Sequence, residues 1–360
     1  MRVLLAAPAT LQLVDAALDG SGPALLPSTD PRVLAALRPD EPLESDEVAV
    51  VVPTSGSTGA PKGALLTGAS LRASAAGTAD RLGGPGQWLL ALPTTHVGGL
   101  QVLVRSVLAG TEPVELAGPT TVEAFEAATG RLTGARRYVS LVPTQLRRLV
   151  DSPALREYDA VLLGGAAAPA DLLARARAHG VRLVTTYGMS ETSGGCVYDG
   201  VPLPGVVVDA PDGRVRVAGP VVALGYRLRP DLTAQAFADG AYRTDDLGEV
   251  GPDGRLVVHG RADDVVVTGG EKVAPAAVEV VLARHPAVAE VAVVGVPDAE
   301  WGARVLAVVV LRPGAALTLE QARAFVAAAL PRAAAPRELR VAEALPLLAS
   351  GKIDRMRLLP

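Results

Sequence analysis

Aromatic side chains make up only 3% of this 360-residue chain, which leaves few platforms on which nucleic-acid bases could stack. A basic excess is also missing: the formal charge of −4 provides no field for a phosphate backbone. Nucleic acid is therefore not an expected partner. Cysteine occurs once, as Cys196, so an intrachain disulfide and a thiolate metal cluster are both excluded, and a reducing, cytoplasmic setting is expected. Cys196 itself reads as a small apolar residue in a turn. No uninterrupted apolar run approaches the roughly 18 residues of a membrane span. The opening segment MRVLLAAPATLQLVDAALDG makes a poor leader peptide, because its apolar stretch gives way to Asp15 and Asp19. Internal repeats and a Gly- or Pro-rich linker are missing as well.

The chain does have the length for more than one domain, at roughly 100–200 residues each. It also carries one stretch of unusual composition, TSGSTGAPKG, at 54–63. Glycines there let backbone N–H groups converge on an anion, hydroxyls add donors that also reach a metal, and Lys62 adds a full positive charge. The apolar run VAVVV just before it reads as a buried strand that launches the loop. A Walker loop would need glycine at 61 and Ser or Thr at 63; Pro61 and Gly63 stand there instead. A flexible Gly/Ser linker would rarely follow a β-branched run and end in Pro-Lys-Gly.

The remaining segments alternate between strand and helix patterns. A helix is expected around Leu11 to Leu18, and residues 1–46 carry no evident chemistry. Thr67 is placed to cap a helix through about Arg81, and Trp88 to Pro93 reads as a buried strand ending in TTHVGG. VSLVP (139–143), AVLL (160–163) and the apolar start of VRLVTTYGMSETSGG (181–195) repeat the strand pattern, with helices between them. Such alternation implies an α/β sheet with functional loops at its strand ends. From about Gly205 short strands separated by PDG, ADG and PDG turns indicate an antiparallel portion. The last ~100 residues read as a compact α+β domain, with Thr318 and Gln321 forming a capping box on its final helix. The expected architecture is thus a large N-terminal α/β domain with a smaller antiparallel β portion, residues 1–262, and a small mobile α+β C-terminal domain, residues 263–360.

Several residues in these loops are suited to chemistry. Glu191, in a loop of glycines and hydroxyls, suits Mg²⁺, which takes one or two carboxylates alongside phosphate oxygens; a solvated loop Glu is the plainer reading. Tyr187 offers a face for a base, with Gly164 and Gly165 permitting close approach, although a lone Tyr is more often core. Asp245 and Asp246 offer bidentate acceptance to a ribose diol, while paired acids usually mark a solvated turn. His96 lies where a strand ends and glycines begin, and local residues leave a structural and a functional role equally open. Lys352, near the C-terminus, is either solubilising or a cation that a mobile loop brings to a site.

Together these stretches resemble the adenylate-forming superfamily of acyl-CoA synthetases, adenylation domains and luciferases. Seven motifs fall in that family's order: TSGSTGAPKG, TTHVGG, GGAAAP, YGMSET, YRTDDLG, GRADDVVVTGGEKV and SGKIDR. The resemblance implies an ATP-dependent acid–CoA ligase that forms an acyl-adenylate and then a thioester. Its substrates would be a small carboxylic acid, ATP and coenzyme A, with Mg²⁺ as cofactor; the oligomeric state is left open. Thr54, Ser55, Gly56, Ser57, Thr58, Gly59 and Lys62 would hold the triphosphate, and Thr58 and Glu191 the magnesium. Gly164, Gly165, Ala166 and Tyr187 would hold adenine, and Asp246 and Arg261 the ribose. His96, Gly188, Met189, Ser190 and Thr192 would face the acid. Asp263 would be the hinge, Lys352 the catalytic lysine beside Glu191 and Thr58, and Gly269, Gly270 and Lys272 the lining of the CoA channel.

The match has departures. The chain is shorter than family members ahead of the phosphate loop. Asp245 stands where the family usually has glycine, so choosing Asp246 for the ribose rests on register, and Lys272 replaces a neutral residue. Within the superfamily, the short length with SLVPTQL, LLGGAAAP, YGMSET and the GGE loop most resembles the o-succinylbenzoate–CoA ligases of menaquinone biosynthesis. A second carboxylate on that acid requires donors, and His96, Thr144, Gln145, Ser190 and Thr192 are available, but no arginine stands in the motifs. The alternatives are another aryl- or acyl-CoA ligase, a stand-alone adenylation domain that loads a carrier arm from another chain, and a nucleotide-binding protein without activity.

Overall fold

The computed structural model describes residues 2–55, 61–348 and 353–359. Gly56, Ser57, Thr58, Gly59 and Lys352 lie outside these described residues. The first sheet runs β1 (Leu4–Ala6), β2 (Ala24–Leu26), β3 (Val48–Ser55), β4 (Pro61–Thr67), with α1 (Leu11–Asp19) and α2 (Pro31–Leu37) between its early strands. Val48 to Val52 are fully buried, as a β-branched run flanked by strands on both sides should be. The strand before the anion loop is as expected, but the loop leads directly back along it: Thr54 pairs with Lys62 across the antiparallel β3–β4 hairpin. Residues 1–46, which had no evident role, supply half of this sheet.

The second sheet has the order β11-β10-β9-β8-β7-β5-β6. Its members are β5 (Gln87–Leu90), β6 (Val114–Glu115), β7 (Arg137–Leu141), β8 (Ala160–Leu163), β9 (Leu183–Met189), β10 (Gly194–Tyr198) and β11 (Val201–Pro202). Strands β5 to β9 are parallel, and β10 and β11 return antiparallel at one edge. Parallel neighbours need crossovers, supplied here by α4 (Val97–Ala109), α5 (Val122–Thr129), α6 (Pro143–Leu149) and α7 (Ala170–Ala178), while α3 (Gly68–Leu82) leads from the first sheet into the second. Thr67 and Ser70 close the capping box that starts α3. Two expected strands are shorter than the apolar pattern suggested: β5 stops at Leu90, and Pro143 opens α6 instead of ending β7. Proline fits the first helical turn, where its missing N–H has no intrahelical partner.

The antiparallel portion comprises β12 (Val207–Asp209), β13 (Arg214–Ala218), β14 (Phe237–Ala238), β15 (Ala241–Val250) and β16 (Leu256–Arg261), with α8 (Pro230–Ala236) at its side. The fourth sheet holds β17 (Val266–Thr268), β18 (Glu271–Val273), β19 (Val288–Asp298), β20 (Gly302–Leu311) and β21 (Glu338–Val341), packed with α9 (Pro275–Leu282) and α10 (Leu319–Ala327). Core packing divides the molecule at the same point. One buried cluster joins Val14, Val52, Leu71, Leu103, Val197 and Val217 across the first three sheets, whereas Val278, Leu282, Val293, Val309 and Val326 form a core within the fourth.

One segment stitches the N-terminal sheets together. Arg227 is 1% exposed, and all five of its guanidinium N–H groups are directed at the α2 region. Nε donates to the Leu37 carbonyl at 3.0 Å, and Nη1 to Pro42 O at 2.6 Å and Glu44 Oε2 at 3.0 Å. Nη2 donates to the carbonyls of Arg38 and Glu41 at 2.8 and 2.7 Å. A rigid fork with no donor left over can clamp an irregular turn in this way. We expect Arg227→Met to lower unfolding stability by about 3 kcal/mol or more, because four carbonyls and the Glu44 carboxylate lose a charged donor at once. Arg227→Lys should recover less than half of that loss, measured from urea midpoints at constant m-value.

Candidate functional site

Parallel strands place the loops after β5, β8 and β9 at one rim of the second sheet, where an open α/β sheet binds ligands. Glycine is needed twice there. A Cβ at Gly164 would lie 2.3 Å from the Thr186 Oγ1, and one at Gly188 would lie 2.1 Å from the Gly194 carbonyl oxygen. The first contact seats the GGAAAP loop against β9 beside Tyr187, and the second lets β9 turn tightly into β10. Gly165 adopts φ 81, and Gly165 and Ala166 are exposed. Tyr187 donates its hydroxyl to Asp246 Oδ2 at 2.7 Å, so the candidate adenine and ribose positions are joined directly.

The β15–β16 ladder places Asp246 opposite Arg261, whose Nη1 stands 3.6 Å from Asp246 Oδ1. Asp245 is shared between Arg214 at 3.2 Å and Arg261 Nη2 at 3.7 Å, and its side chain is 45% exposed against 14% for Asp246. Packing therefore distinguishes the two acids that register alone had separated. Arg261 also reaches Asp263 at 3.2 Å, in the link between β16 and β17, which connects the ribose position to the expected hinge.

Glu191 sits in the short 3₁₀ turn Ser190–Thr192 and is 7% exposed. Ser193, which closes the turn, has φ 53, a left-handed conformation unfavourable for a residue with a side chain. Neighbouring groups hold it there: Ser74 Oγ and Gln101 Nε2 both donate to its carbonyl, at 2.9 and 2.7 Å. Its own hydroxyl donates to Val221 O at 2.9 Å. Thr192, expected to face the acid, is instead fully buried, and its hydroxyl donates to the Gly194 carbonyl at 2.8 Å. Met189 lies at the end of β9. His96 is the exposed N-cap of α4, with Thr95 Oγ1 3.0 Å from its Nδ1. The helix behind it packs toward the same turn, since a Cβ on Gly194 would lie 3.7 Å from Val97.

Tyr226, which lies outside the sequence motifs, completes the cluster. Tyr226 donates its hydroxyl to Glu191 Oε1 at 2.7 Å and lies 3.3 Å from the Tyr242 hydroxyl. Lys62 Nζ stands 5.0 Å from the centre of the Tyr226 ring, within cation–π range. Burial, reinforced by the Glu191 charge, pushes the Tyr226 hydroxyl well above its ordinary range, so it remains a donor throughout the physiological range. Tyrosine is rare here, with six in the chain, and Tyr226 in the GYR stretch was the available signal. Gly269, Gly270 and Lys272 belong to the β17–β18 hairpin, where a Cβ on Gly269 would meet the Trp301 ring at 2.7 Å.

A family model described as AMP-binding enzyme matches residues 6–262, and one described as AMP-binding enzyme C-terminal domain matches residues 277–352. The chain belongs to the AMP-binding enzyme family. It is similar to a probable 2-succinylbenzoate–CoA ligase of Mycobacterium tuberculosis (strain CDC 1551 / Oshkosh), at 50% identity over 95% of this chain and 92% of that relative. A 2-succinylbenzoate–CoA ligase of Geobacillus sp. (strain WCH70) is 35% identical over 87% of this chain and 69% of its own length. Among solved structures, o-succinylbenzoate CoA synthetase (MenE) from Bacillus subtilis in complex with the acyl-adenylate intermediate OSB-AMP superimposes with TM-score 0.76. It shares 29% identity, covering 97% of this chain and 81% of that one. The expected fold class and superfamily are therefore both met.

In this AMP-binding enzyme, Tyr226→Phe leaves a buried Glu191 oxygen without its donor, a loss of about 1–3 kcal/mol. We expect roughly a tenfold or greater fall in kcat for adenylate formation, with unchanged secondary structure by circular dichroism. Asp246→Ala should raise KM for ATP at least tenfold while Asp245→Ala changes it less than threefold, measured by steady-state kinetics at saturating acid.

Proposed function

We propose that this chain is an AMP-forming ligase that joins o-succinylbenzoate to coenzyme A. The observation that carries the reading is the physical union of motifs far apart in sequence: Lys62 over Tyr226, Tyr226 on Glu191, and Tyr187 on Asp246. The extent of similarity to the mycobacterial relative supports the choice of acid. Residues 1–262 would bind ATP and the acid, and residues 263–360 would carry Lys352 in a domain that pivots near Asp263.

In the first half-reaction a carboxylate oxygen of the acid attacks the α-phosphorus of ATP and pyrophosphate departs. In the second, the coenzyme A thiolate attacks the acyl carbonyl and AMP departs. Neither step needs covalent participation by the protein, which supplies position and charge. Asp246 accepts from the ribose diol and is aligned by Tyr187 and Arg261. Lys62 supports the triphosphate side by side with the phosphate loop. Glu191 offers a hard oxygen ligand in a buried turn, a donor type that fits Mg²⁺; with Thr58 it would hold that ion, which when bound offsets negative charge on phosphate oxygens. Lys352 would bring carboxylate and α-phosphate together. The Gly269–Lys272 turn would line the thiol's approach after the small domain rotates.

The test is acid-dependent ATP–pyrophosphate exchange with o-succinylbenzoate, benzoates and fatty acids, followed by thioester formation with coenzyme A. Exchange is expected to be fastest with o-succinylbenzoate. A different preferred acid overturns the substrate, AMP release with a carrier protein only overturns the acceptor, and no exchange at all overturns the activity. Lys352→Ala should slow adenylate formation by about 10²–10³-fold, as for the loss of one transition-state donor, yet spare thioester formation from pre-made acyl-adenylate. Equal loss in both steps contradicts the two-conformation scheme.

A further inference from the structure

At the opposite end of the second sheet from the candidate site, a cavity of about 190 Å³ opens between the C-terminal halves of α3 and α4 and the start of β5. Ala75, Ala79, Leu82, Pro85, Trp88 and Leu108 line it with mostly apolar surface. Arg105 also lines it, and this residue is out of keeping with the rest. It is 8% exposed, its Nε has no hydrogen-bond partner, and no carboxylate pairs with it among the described residues. The guanidinium lies over the Trp88 ring, 4.7 Å from its centre. Desolvation holds its pKa below the ordinary arginine range.

An arginine cannot relieve such burial by giving up its proton, because its pKa lies far above the physiological range. A buried cation without a counter-charge is costly, and proteins ordinarily pair it. Trp88 meets one face of the guanidinium, but a ring quadrupole does not accept N–H hydrogen bonds as a carboxylate does. The tip of the pocket is held in shape independently of Arg105: Tyr138 donates to the carbonyls of Leu82 and Gly84 at 3.2 and 3.0 Å. The space compares with the roughly 150 Å³ cavity that admits one benzene ring.

We propose that this cavity is a second small-molecule site, separate from the AMP-binding one, and that it takes an apolar monocarboxylate of about one or two rings with its carboxylate on Arg105. The apolar walls accommodate the ring body, and the planar fork matches a carboxylate in bidentate geometry. A bare inorganic anion would satisfy the charge but leave the walls uncovered. Position gives the site a route to the catalytic rim. Arg105 lies on α4, whose N-cap is His96, and Gln101 of α4 and Ser74 of α3 both hold the Ser193 carbonyl beside Glu191.

The experiment is isothermal calorimetry with 2-naphthoate on the wild-type chain, Arg105→Met and Ala79→Phe, each with the acid site filled by a non-hydrolysable acyl-adenylate analogue. Arg105→Met removes the counter-charge, and Ala79→Phe fills the cavity while keeping it. We expect one naphthoate per chain in the wild type, at least tenfold weaker binding in both variants, and basal kcat/KM within twofold of wild type in both. Inorganic phosphate as a second probe should bind at least tenfold more weakly than naphthoate. Equal naphthoate affinity in all three proteins, or no binding by the wild type at millimolar concentration, overturns the site. Should Arg105→Met fail to fold, Ala79→Phe decides alone. Phosphate binding as tightly as naphthoate overturns the ligand class.

Discussion

A short strap of chain, Ala223 to Arg227, holds the candidate nucleotide site of this enzyme together. Leu65 N–H donates to Gly225 O, Leu224 N–H to Leu65 O, and Arg227 N–H to Gly63 O, so the strap lies along β4 as if it were another strand. On its other side Ala223 N–H donates to the carbonyl of Glu191. Main-chain bonds thereby fix the distance between the base of the phosphate loop and the buried carboxylate. Side chains from the same strap finish the arrangement: Tyr226 holds Glu191 and faces Lys62, and Arg227 clamps the turn after α2. A Cβ at Gly225 would lie 2.4 Å from Thr233, so the close approach that lets Thr233 Oγ1 accept from Tyr226 N–H requires glycine there.

That strap places opposed electrostatic demands in one small volume. Glu191, the proposed metal ligand, is buried, and a buried carboxylate is unfavourable without donors. Tyr226 supplies one donor that does not titrate near neutral pH, and Lys62 contributes charge across the aromatic ring instead of through a direct ion pair. The candidate ribose side is built differently. Asp246, Asp245, Asp263 and Arg261 form a partly exposed charge network, where solvent lowers the worth of each pair. Such a network tolerates rearrangement, which suits residues at the edge of a domain expected to turn.

Much of the secondary structure was legible from local chemistry. Thr67 and Thr318 cap their helices with the reciprocal partners that their spacing implies, and the PDG and ADG turns separate antiparallel strands as the turn residues require. Where reading failed, longer-range pairing was the cause. Trp88 to Pro93 is apolar throughout, but only the part with sheet neighbours forms a strand; beyond Leu90 the chain turns, and Pro93 O accepts from His96 N–H to begin the approach to α4. A strand into the anion loop was visible in VAVVV, whereas its return as β4 was not, because a seven-residue strand holding a proline and a lysine has no distinctive pattern.

The sequence by itself determined the superfamily, the order of its motifs and the residue types available for phosphate, ribose and metal, because those depend on which groups occur at which spacing. It could not reveal that Tyr187 meets Asp246, that Tyr226 meets Glu191 and Lys62, or that Thr192 spends its hydroxyl on the backbone. It also gave no sign that Arg105 is buried without a partner beside an apolar cavity. Each of these depends on groups tens of residues apart reaching bonding distance, and only the packing of the sheets against one another, with the strap running between them, sets that distance.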